Sequence, residues 1–189
     1  MKKTLSLILF SMLLCRSLHA QDVEEVKSTA EKLCTEAEPF RQTAKHIIES
    51  NTDRGADLTV YSGGQGIVMA RLSVGFSARD EVVEVVWKNK RILKMQVVQK
   101  RFDLNDEGGY AFDKPPRITS IAKAYYSQEK NRPDVFEKSI STFSDFGFAP
   151  ITRSSFNKLA ALLQEMVDQQ AKSLTISEDE DTFMLLLDK

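Results

Sequence analysis

The sequence predicts an α+β fold: an N-terminal helix, kinked near Pro39, then a four- or five-stranded antiparallel meander covered by C-terminal helices. Three observations predict it. Apolar residues recur every three or four positions from Val23 to Ile47, which is the period of a helix. Alternation with a period of two then runs through residues 58–102. Helical spacing returns towards the C-terminus in Phe156, Leu159, Ala160, Leu163, Met166 and Val167.

The chain opens with Lys2 and Lys3, an apolar run from Leu5 to Cys15, and Leu18-His19-Ala20, the order of a secretory signal peptide. A run of that length makes a helix of about 16 Å, short of a hydrocarbon core of roughly 30 Å, so a cleavable leader is expected over residues 1–20 rather than a permanent span. A lipid-anchored alternative would place Cys15 at the new N-terminus, but Leu14 is large where a small residue belongs. Cleavage after Ala20 makes the protein secreted or periplasmic. Of 26 basic residues, Lys2, Lys3 and Arg16 leave with the leader, so 23 face 27 acidic ones and the net charge falls near −4. That balance excludes a basic footprint for nucleic acid. Cys34 and His46 become the sole cysteine and histidine, which excludes an intramolecular disulfide. Residues 21–189 suffice for one domain with a real core, strand-rich to about 113 and helical from about 116.

The helix is expected from Asp22 to about Ser50, on a stripe of Val23, Val26, Ala30, Leu33, Ala37, Phe40, Ala44 and Ile47, with Asp22 and Glu25 as an acidic cap. Pro39 removes a donor and crowds the preceding turn, which predicts the kink near residues 35–38. Its alanines suit packing on the domain's own sheet better than a coiled-coil seam. A loop at 51–56 leads to strands at 58–62 and 67–77, joined through Gly63-Gly64-Gln65-Gly66. A three-residue loop there opposes Val60 to Val68 and Leu58 to Ala70. Strands at 81–87 and 91–102 follow, and a three-residue loop at Lys88, Asn89 and Lys90 opposes Val85 to Leu93, Val83 to Met95 and Glu84 to Lys94. A two-residue loop would set Lys94 against Val85. A fifth strand is expected at 109–112, after the turn at Asn105-Asp106-Glu107-Gly108. Pro115 and Pro116 end the strand-rich half; 118–129 and 133–146 then read as helical, and the last helix runs from Thr152 or Ser154 to about Lys172. The tail, 174–189, is the acidic run Glu178-Asp179-Glu180-Asp181 followed by apolar Phe183 to Leu187. In topology alone, the helix and meander resemble cystatin-like or NTF2-like arrangements, a resemblance without a motif that transfers no function.

Chemistry-bearing patterns are sparse. The glycine-rich turn has strands on both sides, whereas a phosphate cradle needs a helix after it. Asp103, Asn105, Glu107 and Gly108 mimic the start of a calcium loop, but Ala111 and Lys114 stand where later ligands belong, so a solvated turn is expected and no metal or cofactor is assigned. Twelve residues on one helix would separate Cys34 from His46 by about 18 Å, too far for a nucleophile–base dyad. Cys34 reads as a partly buried thiol with intermolecular pairing as its alternative. Glu84 reads as the surface partner of Lys94, and Trp87, opposite Arg91, as edge packing or an anchor for a partner. No catalytic residue is assigned, because nothing selects one pair from 27 acidic side chains. The reading is therefore an exported, non-catalytic binding or accessory protein whose candidate contacts with a protein partner are Cys34, Trp87, Glu178, Asp179, Glu180, Asp181 and Phe183. Its alternative is a small apolar ligand held in a pocket between sheet and helices, near Phe76, Trp87 and Met95, with or without carboxylate catalysis.

Overall fold

The computed structural model describes residues 23–35, 41–127, 135–140, 153–174, 177–179 and 182–186. The expected leader, residues 1–20, lies outside these residues, as do Asp22, Pro39, Glu180 and Asp181. Helix α1 occupies 23–35. Seven strands follow in a continuous antiparallel meander: β1 (Arg41–Ser50), β2 (Ala56–Ser62), β3 (Ile67–Gly75), β4 (Arg79–Lys88), β5 (Arg91–Arg101), β6 (Arg117–Tyr125) and β7 (Val135–Ile140). Helix α2 (Arg153–Gln169) comes next, then β8 (Ser173–Leu174), which adds in parallel to the end of β1, and a separate two-stranded pair, β9 (Ser177–Asp179) and β10 (Thr182–Leu186). The α+β class holds, with seven antiparallel strands in place of four or five.

Both extra strands at the C-terminal side were expected to be helical. In β6, Ser120, Ala122 and Ala124 all point to the core, with the two alanines at 0 % exposure and Ala124 directly opposite Phe136 of β7. Ile118, Ile121, Ala122 and Tyr125 mimic helical spacing, and pairing along the edge of β5 overrides it. Residues 141–146 of the expected second helix lie outside the described residues, as does Thr152.

The expected kinked helix is instead two different elements. Beyond the described end of α1 at Thr35, residues 41–50 form β1, in which Ile48 is 2 % exposed on the core face while Ile47 points the other way at 85 %. Ala44 and Ile48, four apart, satisfy either period, and the branched side chains at Thr43, Ile47 and Ile48 favour the extended chain that β2 then pairs. The expected fifth strand at 109–112 is only a single bridge, Leu104 to Tyr110.

Both central hairpins keep the expected face, except that Leu93 falls on the face opposite Met95, and both differ in register by two residues. Val60 opposes Ala70, and Leu58 opposes Leu72. Val85 opposes Met95, and Val83 opposes Val97. The turn between β4 and β5 has two residues, Asn89 and Lys90, both with positive φ (50° and 66°), the backbone of a type I′ turn. Val86 pairs with Lys94 and Trp87 with Ile92, so Leu93 is an extra residue, a bulge that restores apolar against apolar.

Each sheet face carries its own helix. On one, Leu58, Leu72, Val83, Val85, Trp87, Met95 and Val97 pack beneath α2, which inserts Phe156, Ala160 and Leu163 at 0 % exposure. Phe156 meets Phe136 edge to face at 5.2 Å, and the Tyr126 hydroxyl donates to Asn157 Oδ1 at 3.3 Å. On the other, α1 crosses Ile67, Met69, Val86 and Leu93 with Leu33 and Cys34, and Tyr125 and Val135 with Ala30.

Candidate functional site

A meander alternates its loops, so 51–55, 76–78 and 102–116 all emerge at one end of the sheet. There the chain builds an aromatic and cationic cleft. Arg54 is its organising side chain, and backbone geometry fixes it: Arg54 N–H donates to Gly75 O at 3.1 Å, and Gly75 N–H to Gly55 O at 2.9 Å. Residue 75 has to be glycine for this approach, because a Cβ there would sit 2.6 Å from Arg54 Cβ. The guanidinium, 2.8 Å from Asp80, lies over the rings of Phe102 (4.3 Å) and Phe112 (5.3 Å). Phe102 and Phe112 meet edge to face at 5.0 Å, and Tyr110 lies 6.2 Å from Phe112.

These groups, with Asp53 and Ser77 hydrogen-bonded to each other, line a cleft of about 600 Å³. Phe102 is its buried floor, whereas Phe112 is 57 % exposed, and Leu104, bridged to Tyr110 outside the cleft lining, is 60 % exposed. The loop carrying them is ordered from within: Asn105 Oδ1 accepts from the N–H groups of Glu107 (3.1 Å) and Gly109 (2.8 Å), and Asp103 takes both ends of the Arg117 guanidinium. The oxygens that mimic a calcium loop thus hold the loop's own backbone and Arg117. Among the described residues no three His, Cys, Asp or Glu side chains are grouped as a metal would need. The cleft is built to take apolar surface at its rings; a cation already neutralised by Asp80 adds little net charge.

Beneath α2, nearer this end, the core face also carries a buried polar row. Glu81 (1 % exposed), Gln99 (1 %) and Ser120 (3 %) stand opposite one another on β4, β5 and β6. Gln99 Nε2 donates to Glu81 Oε1 at 2.8 Å, the Ser120 hydroxyl donates to Gln99 Oε1, and Thr119 Oγ1 donates to Gln99 O at 3.2 Å. Glu81 shares the sequence parity of Val83, Val85 and Trp87, so a carboxyl on the apolar face was legible in the alternation.

The sequence-selected residues are dispersed. Trp87, 3 % exposed and opposite Ile92 rather than Arg91, is a core side chain that presents no surface to a partner. Cys34 is half-buried on the side of α1 that packs against the sheet, and burial pushes its thiol up, away from the reactive thiolate. His46 stands opposite Leu58 on the α2 side of the sheet, so the sheet itself separates it from Cys34. Glu84 pairs with Arg71 (2.7 Å) rather than Lys94, which binds Glu31 of α1 at 2.9 Å. Glu178 and Asp179 fall in β9 and Phe183 in β10, in the separate strand pair. Phe76 (5 %) and Met95 (0 %) belong to the packed core, not to a cavity wall.

No family model, curated protein or solved structure matches the chain.

Proposed function

We propose that the protein is an exported, non-catalytic binding protein that engages a protein partner through the loop end of its sheet. The single observation that carries this reading is the cleft in which Arg54 lies over Phe102 and Phe112 while Phe112 and Leu104 remain largely exposed. Aromatic and arginine side chains around an open apolar depression are the composition of binding hot spots, and a contiguous exposed apolar patch calls for an occupant. The tight core beneath α2, filled around Trp87 and Met95, argues against the alternative of a small apolar ligand between sheet and helices. Export rests on the leader-like first twenty residues.

The test is to install a photo-crosslinking phenylalanine analogue at position 112, and for comparison at Lys158 on the outer side of α2, in the chain expressed with its leader in a host cell envelope. One discrete protein adduct at 112, absent at 158 and reduced at least about tenfold by Leu104→Ser, is expected. Equal adducts at both positions, or none, would sink the reading. Saturable binding of a small hydrophobic dye that Phe112→Ser abolishes, with no protein adduct, would favour the small-ligand alternative.

A further inference from the structure

We propose that α1 is a detachable cover on the sheet, opening as a unit while the sheet and α2 stay folded, with Glu31 as the group that holds it shut. The two helices are attached differently. α2 drives three fully buried side chains into the core, whereas α1 has one fully buried anchor, Ala30 at 2 %, and otherwise uses half-buried Val23, Val26, Leu33 and Cys34. No backbone hydrogen bond among the described residues joins α1 to the sheet. A helix this short is marginal alone in water, so α1 is helical because it is docked, and it is the segment whose opening costs least.

The polar ties converge on one carboxylate. Glu31 accepts from Lys94 Nζ through both oxygens (2.9 and 3.0 Å) and from the Tyr125 hydroxyl (2.9 Å). A second tie from α1, Lys27 to Glu137 at 2.6 Å, is made by more exposed groups, and Lys27 also lies 5.9 Å from the centre of the Tyr125 ring. Beneath the cover the sheet is apolar and fully buried: Ile67 (1 %), Val86 (4 %) and Leu93 (1 %). Opening therefore presents a second apolar strip, on the face opposite α2, that the closed protein hides.

Amide hydrogen exchange of the purified full-length chain, read by mass spectrometry at neutral pH, tests this with Glu31→Gln and, from the other side of the contact, Lys94→Met. Exchange across 23–35 is expected to be faster than in β4 and β5 already in the unaltered chain, and to rise roughly tenfold in either variant while remaining well ahead of β4 and β5. Glu84→Gln, which breaks a carboxylate pair on the same face without touching α1, should leave 23–35 unchanged. The proposal is overturned if α1 exchanges only as slowly as β4, if in the variants helix and sheet exchange at one common rate or folding is prevented, or if neither variant accelerates the helix.

Discussion

Glu31 decides how α1 responds to acid. Burial raises its carboxyl, but the hydrogen bonds from Lys94 and Tyr125 outweigh that and hold it below the ordinary value of 4.5. A carboxylate whose folded value is depressed contributes stability that is complete above the unfolded value and is lost as pH falls through the folded one. With the side chain 40 % exposed, solvent screens the pair, and its contribution is about 1 kcal/mol. Urea unfolding of the unaltered chain and Glu31→Gln should therefore differ by about 1 kcal/mol at pH 7, and the gap should narrow as pH falls below the ordinary value of 4.5. A gap that persists undiminished at pH 3 would show that shape at position 31, not charge, matters. Tyr125 moves the opposite way: its hydroxyl, buried and donating to Glu31, is pushed well above its ordinary range, so it remains a donor throughout this titration.

Elements depend on pairing as well as on period, and the β4–β5 hairpin shows where a sequence stops being informative. Which residues face the core was legible, because Val83, Val85, Met95 and Val97 alternate cleanly. Which residue faces which was not, because moving a strand by two leaves every side chain on its face. The missing signal was turn chemistry. Asn89 accepts a left-handed backbone readily, but Lys90 does so at φ 66° with a Cβ that opposes it, and the bulge at Leu93 absorbs the parity change. Lys90→Gly relieves that opposition, so it should raise the free energy of unfolding by about 1 kcal/mol, seen as a higher urea midpoint at constant slope. A lower midpoint would contradict the left-handed assignment. Residues 41–50 and 117–125 were misread for a related reason: pairs four apart such as Ala44 and Ile48 fit two periods at once, and only partners distant in sequence, β2 and β5, choose between them. The aromatic cleft escaped sequence reasoning entirely, since Arg54, Phe102 and Phe112 come from loops that only the meander brings to one end.

At the scale of the whole sheet, something has to select one register over its two-residue neighbour, and the buried polar row is suited to do so. In the observed pairing Glu81 faces Gln99 and Gln99 faces Ser120. Slipping β4 against β5 by two, the register that a three-residue turn would give, sets Glu81 against Val97 and Gln99 against Arg79. Val83, Val85, Met95 and Val97 still face α2 in that slipped sheet, so hydrophobic burial there discriminates weakly between the two. The polar row discriminates more strongly, because the slip separates Gln99 from Glu81, and each buried hydrogen bond that is broken without replacement costs roughly 1–3 kcal/mol. Polar side chains here cost some stability in exchange for a single sheet alignment. Replacing both, Glu81→Leu with Gln99→Leu, should therefore keep the far-ultraviolet circular dichroism while splitting or broadening the backbone amide resonances of β4 and β5 as two alignments become comparable in energy. A single sharp set of resonances in the double variant would mean that the type I′ turn and the Leu93 bulge fix the register unaided.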